Sequence, residues 1–494
     1  MLSIRPYEFW FITGSQNLYG EDALQEVESN SRKISESLDE NMNSAYKIVF
    51  KTVLTNAVDI RKLMLEANND EKCAGVIIWM HTFSPAKMWI AGLTALQKPQ
   101  LHLNTQFNRD IPWNDIDMDF MNLNQSAHGD REYGFIGTRM NKSRKVVVGH
   151  WSDEVVISKI GSWMKIAVAV TEGTNIKVAR FGDNMRNVAV TDGNKVEAQI
   201  KFGWTVDYYG IGDLVEEMSK VSQHEIDNLY KEYEKTYILP VEASEQGLVR
   251  DSILEQARIE LGLIAFLEKG NYNAFTTNFE DLHGMKQLPG LAAQRLMEKG
   301  YGFAGEGDWR TAALLRMMKV IAGNKGTSFM EDYTYHLEPG NEMVLGSHML
   351  EICPTIAVSK PKIVVQKLGI GGKEDPARLV FDGKAGHAIV ASLIELRGRY
   401  RLVINEVDAQ LSTVDTPNLP VAKVLWKPEP SLSEATESWI YAGGAHHTVF
   451  SLDVTTDQLY DFADMTNIEC VIIDKNTVVR QLRNELKLSD AVWT

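Results

Sequence analysis

The sequence has few cysteines, and they form no recognisable motif. Cys73, Cys353 and Cys470 are widely separated within 494 residues, and none belongs to a C-x-x-C pair. This pattern is typical of buried, reduced thiols in a cytosolic protein rather than of a disulfide framework.

The chain also lacks a long apolar run. No uncharged apolar segment reaches the roughly 18 residues that a membrane-spanning helix needs. The N-terminal segment MLSIRPYEFWFITGSQ has neither the sustained apolar region nor the cleavage site of a secretory signal. Its apolar residues are interrupted by Glu8 and end at Gly14, so we expect a buried strand in a cytoplasmic protein with no membrane partner.

An excess of basic residues is absent as well. The chain has 51 Lys and Arg against 66 Asp and Glu, giving a formal net charge of -15, and the acidic residues are spread along its whole length. No basic patch interleaved with aromatic residues offsets this charge. The composition therefore argues against nucleic acid as a partner.

What remains is the composition of a soluble enzyme with several domains. Hydrophobic residues make up 44% and charged residues 24%, which is ordinary for globular proteins. At about 150 residues per domain, the length suggests roughly three domains.

The first two domains follow an α/β pattern. In residues 1–172, apolar runs such as EFWFITG, AGVIIWM and KPQLHLN alternate with helical patterns. Continuous apolar strands followed by helices indicate a parallel sheet covered on both faces. The pattern restarts over 173–325 and ends in a helix predicted at 308–323, with Asp308 as its N-cap.

Residues 326–494 have a different pattern. Short apolar strands and turns dominate, and we expect helix to return only after Thr455. This segment predicts a largely antiparallel β domain.

Two glycine-rich loops superficially resemble nucleotide sites. Gly14–Gly20 follows a strand but lacks G-x-G-x-x-G, and Gly369–Lys373 lacks the full phosphate-loop pattern. We interpret the first as a strand-to-helix turn, where ligands of open α/β sheets bind, and the second as an ordinary turn.

Two carboxylates and two imidazoles in the second half of the chain form a possible metal-binding set. A mixed oxygen and nitrogen donor set suits a divalent cation that also holds an oxygen-rich substrate. The spacing alone does not bring these residues together, since we expect no two in one helical turn or on one hairpin. They are Glu306, Glu331, His348 and His447.

Each of the four also has an ordinary structural explanation. Glu306 precedes a helix, whose dipole favours a carboxylate, and Glu331 reads as an exposed turn acid. His348 lies within an apolar strand as a core histidine would. His446 and His447 follow two glycines. Adjacent histidines on a loop are more often ligands than a chance pair on the surface.

Seven segments over nearly the full chain resemble the L-arabinose isomerase family. They are FWFITGSQNLYGE, HTFSPAKMWI, NLNQSAHGDREYGF, RFGDNMRNVAVT, GYGFAGEGDWRTAALLRMMK, GTSFMEDYTYHLEPGNEMVLGSHMLE and AGGAHHTVFS. The resemblance implies two Rossmann or flavodoxin-like α/β domains followed by a C-terminal antiparallel β-barrel domain. It also implies a homohexamer in which the loop with Gln16 and Tyr19 reaches a neighbour's site.

The same resemblance implies an activity and a cofactor. The expected reaction is L-arabinose to L-ribulose, with D-galactose to D-tagatose as a side activity. One Mn²⁺ per subunit, replaceable by Co²⁺, would be held by Glu306, Glu331, His348 and His447, and the two glutamates would also be catalytic. The implied sugar-pocket residues are Gln16, Leu18, Tyr19, Phe83, Gln125, His128, Met185, Phe279, Met349, Ile370 and His446.

The chemistry of aldose–ketose exchange accounts for such a donor set. Hydrogen moves from C2 to C1 while a proton moves between O2 and O1, and a cation stabilises the enediolate. Glu306 and Glu331 would move the protons. Because a metal-bound carboxylate is a poorer base, each must bind through one oxygen or release during turnover. We predict a cis-enediol route rather than a hydride shift.

Two other functions fit parts of the pattern. An isomerase of another sugar, such as L-fucose, could share a related scaffold. A non-catalytic sugar-binding protein could have two α/β lobes, but the missing secretory signal and the additional β domain with its Glu and His residues argue against it.

Overall fold

The computed structural model of the protein describes residues 2–42, 44–368 and 372–493. The chain divides into two compact units. The first unit is Ile4–Thr171 with Asp464–Asn467, and the second unit is Glu172–Ala463 with Ile468–Thr494 and Met1–Ser3. Within the described ranges, no helix is long and apolar enough to cross a membrane.

A five-stranded parallel sheet forms the centre of the first unit. Its strand order is β2-β1-β3-β4-β5, and every residue of β3 is buried because helices cover both faces. The elements are β1 (Glu8–Gly14), α1 (Glu21–Asn41), β2 (Lys47–Leu54), α2 (Ala57–Asn69), β3 (Cys73–Met80), α3 (Ile90–Ala95), β4 (Gln100–Asn104), α4 (Met118–Leu123), α5 (Ser126–Arg139), β5 (Lys145–Val148) and α6 (Glu154–Gly173).

The second unit begins with a four-stranded parallel sheet of order β7-β6-β8-β9. Its last helix starts where the sequence predicts, since the Asp308 side chain accepts a hydrogen bond from the Thr311 amide. The elements are β6 (Lys177–Phe181), α7 (Lys195–Phe202), β7 (Thr205–Tyr209), α8 (Ile211–Lys220), α9 (Gln223–Thr236), α10 (Leu248–Gly270), β8 (Ala274–Thr277), α11 (Gly290–Glu298), β9 (Gly302–Ala304) and α12 (Trp309–Ile321).

A closed antiparallel barrel follows in the same unit. Six strands pair in the order β14-β17-β10-β11-β16-β15, and β15 pairs with β14 to close the ring. β18 adds to β15 in parallel, and β12 and β13 form a separate hairpin. The elements are β10 (Thr327–His336), β11 (Met343–Ser347), β12 (Lys362–Val365), β13 (Ala377–Val380), β14 (Gly386–Leu396), β15 (Arg399–Gln410), β16 (Lys423–Pro428), α13 (Leu432–Ala442), β17 (His447–Ser451), α14 (Thr456–Thr466), β18 (Glu469–Ile473) and α15 (Val479–Val492).

The architecture confirms the predicted fold class, although one helix of the barrel segment was not predicted. Helix was expected only after Thr455, but α13 already lies between β16 and β17. The Ser431 hydroxyl caps its first turn, and Gly443 ends it in the left-handed conformation at φ 83°. Serine and glycine are also common in turns, so these cap residues alone do not reveal the helix. In the glycine-rich segment, Gly369–Gly371 lie outside the described residues.

A buried ion network joins three helices of the second unit. The Arg295 Nε of α11 lies 2.7 Å from Glu260 Oε2 of α10, and both side chains are almost fully buried. Tyr233 of α9 donates to the same oxygen at 2.7 Å, and Lys299 Nζ lies 3.2 Å from Glu260 Oε1. Each buried charge therefore has a partner, which burial requires.

We predict that Glu260→Gln destabilises the protein by about 3 kcal/mol, because it leaves the Arg295 guanidinium buried without its main counter-charge. Urea unfolding followed by circular dichroism measures the change. Glu217→Gln is the control, since Glu217 pairs with Lys220 and Lys269 at the surface and solvent weakens such pairs. Equal midpoints for the two variants would contradict the prediction.

Candidate metal centre

Glu306 lies in a sharply constrained loop between β9 and α12. Its φ is +62°, which is uncommon for a residue other than glycine. Its carbonyl accepts a hydrogen bond from the Met185 amide at 2.9 Å. A Cβ on the preceding Gly305 would lie 3.0 Å from His348 Cε1, and one on Gly307 would lie 2.6 Å from the Asp183 carbonyl oxygen. The two glycines therefore allow the loop to approach His348 on one side and the β6 loop on the other.

The barrel register brings the other three predicted residues together. Glu331 lies opposite His447 where β10 pairs with β17, and opposite Ser347 where β10 pairs with β11. His348 directly follows Ser347 and the end of β11. The ring centroids of His348 and His447 are 6.0 Å apart, and Phe329 contacts both rings.

Two details of the sequence analysis are therefore corrected. β10 and β11 form one hairpin, so Glu331 and His348 do share a hairpin. His348 lies just after a strand rather than inside it, and Glu331 is a partly buried strand residue rather than a turn acid.

Both histidines use Nδ1 to contact a carboxylate. His447 Nδ1 lies 3.1 Å from Asp308 Oδ2, and His348 Nδ1 lies 2.6 Å from Glu351 Oε2. This leaves each Nε2 for another partner, the arrangement in which carboxylates orient metal-binding histidines. His447 Nε2 is buried, has no hydrogen-bond partner among the described residues, and lies 3.7 Å from Glu306 Oε2.

Charge and burial work against each other in this cluster. Burial raises the pKa of the Glu331 carboxyl, and the Glu306 and Glu351 carboxylates raise it further, although the nearby imidazoles oppose them. Burial would lower the pKa of His348, but the Glu351, Glu331 and Glu306 carboxylates together outweigh that effect and the pKa is raised. Three carboxylates in one buried region repel one another, and a divalent cation would relieve that repulsion.

The donor atoms fit a divalent metal ion. One oxygen of Glu306 and one ring nitrogen each of His446 and His447 lie within 4.8 Å of one another. His446, which the resemblance implied for the sugar pocket, is thus one of the three clustered donors, with its ring centroid 4.5 Å from that of His447. Carboxylate oxygens and imidazole nitrogens are donors that divalent metal ions take in proteins.

Other predicted sugar-pocket residues of the second unit lie on adjoining loops. Met185 follows β6 and Phe279 follows β8, at the carboxyl ends of parallel strands where α/β sheets bind ligands. Met349 and His348 are among the residues that line a cavity of about 530 Å³. Ile370 lies outside the described residues.

The predicted residues of the first unit gather at the carboxyl edge of its own sheet. Gln125 Nε2 donates to the Tyr19 hydroxyl at 3.0 Å, and the Phe83 and His128 rings stack with centroids 5.1 Å apart. In the loop after β1 that also carries Tyr19, Gln16 is half-buried and Leu18 is 82% exposed.

The carboxylate partners of the histidines, Asp308 and Glu351, were not predicted from the sequence. Asp308 was recognised only as a helix cap, and it serves both purposes, since Oδ1 accepts from the Thr311 amide while Oδ2 faces His447. Glu351 lies three residues after His348, a spacing that is common without such a contact.

Comparison with known proteins agrees with this architecture. The family models for the N-terminal, central and C-terminal domains of L-arabinose isomerase match residues 3–175, 177–324 and 326–469. The L-arabinose isomerases of Geobacillus stearothermophilus and Bacillus subtilis are 64% and 62% identical to this chain over 493 residues, covering 100% of it and 99% of each relative. The protein is therefore an isomerase. It belongs to the L-arabinose isomerase family.

We predict that Asp308→Asn and Glu351→Gln each weaken Mn²⁺ binding about 10- to 100-fold, because carboxylate partners orient metal-binding histidines. Asparagine retains the cap of α12, so the first variant isolates the effect on His447. Isothermal titration calorimetry with Mn²⁺ alone measures the affinity.

The control is Glu406→Gln, which alters a barrel carboxylate that accepts a hydrogen bond from Thr456. This variant should bind Mn²⁺ as the unaltered protein does. Unchanged affinity in both Asp308→Asn and Glu351→Gln would contradict the assignment of these carboxylates.

Proposed function

We propose that this protein converts L-arabinose to L-ribulose, with D-galactose to D-tagatose as a side activity, in a site that holds one Mn²⁺. The observation that carries the proposal is the approach of Glu306 to His447 beside Glu331 and His348, with both imidazoles held through Nδ1 by carboxylates. The names of the relatives supply the substrate.

Glu306, Glu331, His348 and His447 are the proposed ligands. A bound divalent cation would stabilise the negative charge that develops on O1 and O2 of the sugar. Co²⁺ presents similar preferences and is the proposed substitute.

The two glutamates are the proposed proton carriers of a cis-enediol route. One carboxylate removes the proton from C2 and returns it to C1, and the other moves a proton from O2 to O1. Both are needed, because the carbon and oxygen protons move to different atoms. Glu331 lies on a strand, whereas Glu306 lies in a loop whose backbone is held by Met185, so the two approach from different elements.

The remaining proposed residues bind the sugar by shape and hydrogen bonding. Met185, Phe279, Met349, Ile370 and His446 would contribute from the second unit. Gln16, Leu18, Tyr19, Phe83, Gln125 and His128 would contribute from the first unit, in a site completed by a neighbouring subunit.

The proposed assembly is a homohexamer, and the proposed location is the cytoplasm. Large apolar side chains exposed on the first unit, among them Leu18, Trp113 and Met118, support burial against another copy. Three free cysteines are consistent with a reducing compartment. Analytical ultracentrifugation should give a molecular mass about six times that of one chain, which is 55.6 kDa.

The proposed domain bounds remain 1–172, 173–325 and 326–494. Each of the two parallel sheets and the barrel has all its strands inside one of these segments, which supports the division.

We predict Mn²⁺-dependent formation of L-ribulose from L-arabinose. Chelator treatment should abolish turnover, and added Mn²⁺ should restore it. Comparing L-arabinose, D-galactose and L-fucose as substrates also separates the proposed function from that of an isomerase of another sugar. Full activity after chelation would contradict the proposed role of Mn²⁺. Preferential turnover of L-fucose would show that the enzyme isomerises another sugar.

We predict that Glu306→Gln and Glu331→Gln each remove nearly all turnover, because each glutamate would both hold the metal and carry a proton. His348→Ala should chiefly lower Mn²⁺ affinity, so excess Mn²⁺ should recover part of its activity. Steady-state rates measured across a range of Mn²⁺ concentrations distinguish the two classes. If excess Mn²⁺ restored the turnover of a glutamate variant, that glutamate would be a metal ligand only and not a proton carrier.

We predict that solvent deuterium appears at C1 of the ketose when the reaction runs in heavy water, because the proton taken from C2 exchanges with solvent while the carboxyl group holds it. Proton NMR of the product measures the incorporation. A product without deuterium at C1 would favour a hydride shift.

A further inference from the structure

A buried carboxylate joins α5 to two strands of the first unit. Asp130, in α5, is 2% exposed. Its Oδ1 accepts a hydrogen bond from the Met80 amide at 3.1 Å and lies 2.9 Å from His102 Nε2. Its Oδ2 accepts from Asn104 Nδ2 at 2.8 Å. Met80 ends β3, and His102 and Asn104 belong to β4, so one side chain contacts the carboxyl-end region of two adjacent strands.

The start of α5 is also fixed by its backbone. The Gln125 amide donates to the His81 carbonyl at 3.1 Å. A Cβ on Gly129 would lie 2.8 Å from the Thr82 carbonyl oxygen, so the helix approaches the chain after β3 as closely as glycine allows. Together with the Asp130 contacts, these determine the position of the first turn of the helix.

That first turn carries two side chains directed to other loops of the same edge. Gln125 hydrogen-bonds to the Tyr19 hydroxyl, and His128 stacks on Phe83. Carboxyl edges of parallel sheets are where α/β proteins bind ligands. A shift of the helix would therefore displace two side chains at this edge at the same time.

Packing alone does not explain a carboxylate at position 130. Burial opposes its ionisation and raises the pKa of Asp130, and an apolar side chain would fill the space at lower cost. The carboxylate instead fixes the position of the helix. Its two oxygens bind donors from two strands, and these hydrogen bonds form together in only one placement of α5.

We propose that Asp130 is a positioning residue of the sugar site, which sets the place of Gln125 and His128 by binding α5 to β3 and β4. The inference rests on the proposed function, in which these two residues contact the sugar. Asp130 itself is buried and would not touch the substrate.

The test is Asp130→Asn in the Mn²⁺-loaded enzyme. Asparagine has the same size, but its NH₂ group would face another N–H donor. In one orientation this donor is the Asn104 side-chain amide, and in the other it is the Met80 backbone amide. The KM for L-arabinose should rise about tenfold with little change in kcat, because misplaced binding groups weaken substrate binding. Hydrogen–deuterium exchange should become faster at the amides of residues 125–129.

A reciprocal exchange provides the rescue. In Asp130→Asn with Asn104→Asp, the new carboxylate at position 104 can accept from the amide NH₂ at position 130, while the amide oxygen still accepts from Met80. The KM should return towards that of the unaltered enzyme. Glu260→Gln is the matched control, since it also converts a fully buried acid to its amide but lies on α10, and it should leave KM unchanged.

Several results would overturn the proposal. An unchanged KM in Asp130→Asn, an equal rise in Glu260→Gln, or a double variant no better than the single one would each do so. If Asp130→Asn does not fold, Asn104→Ala removes one donor and must raise KM by a smaller factor. If the unaltered enzyme makes no ketose from L-arabinose, the proposed function fails, whereas unchanged exchange at 125–129 overturns the positioning role independently.

Discussion

The register of β10 between β11 and β17 is the constraint on which the candidate metal centre depends. Side chains alternate between the two faces of a strand, so a shift by one residue would turn Glu331 to the opposite face. In the observed register Glu331 lies opposite His447 on one side and opposite Ser347 on the other. Closure of the barrel protects this register, since neither β10 nor its neighbours are edge strands that could slip.

A second constraint acts on the side chains that the register brings together. Imidazole rings can rotate, and a strand fixes only the backbone from which they project. His447 and His348 each lose that freedom through a carboxylate at Nδ1, supplied by Asp308 and Glu351. His102 has a similar partner in Asp130, though through Nε2. Each unit of the protein therefore contains buried acid–imidazole pairs that hold a side chain in one orientation.

The sequence predicted those parts of the structure that local patterns encode. Continuous apolar runs predicted the parallel strands, such as β3. Short strands and turns predicted an antiparallel β domain, whereas its closure into a barrel was implied only by the family resemblance. Asp308 before an apolar helical segment gave the start of α12. The helix α13 was missed because it is inserted between two strands of the barrel, where Ser431 and Gly443 resemble turn residues.

The geometry of the site could be predicted only in part, because its contacts are distant in sequence. The resemblance named Glu306, Glu331, His348 and His447. The structure places them in the β9–α12 loop, on β10, just after β11 and on β17, respectively. Nothing local to His447 indicates that its partner is Asp308, since that contact depends on how the barrel meets the helix. The hairpin that brings Glu331 close to His348 was also not predicted, because the pairing of β10 with β11 cannot be read from the spacing of these two residues.

Asp308 connects the stability of a helix to the orientation of a proposed metal ligand. One of its oxygens accepts from the Thr311 amide at the start of α12, and the other faces His447. Although burial disfavours the carboxylate, the neighbouring His447 imidazole keeps the pKa of Asp308 below its usual value. All thirteen residues of α12 are buried, so the helix cannot shift without disturbing the core. A cation that binds only the folded arrangement would then stabilise the whole of this region. The loop of Glu306 connects β9 to the same helix, and its left-handed backbone conformation is supported by the hydrogen bond from the Met185 amide to the Glu306 carbonyl.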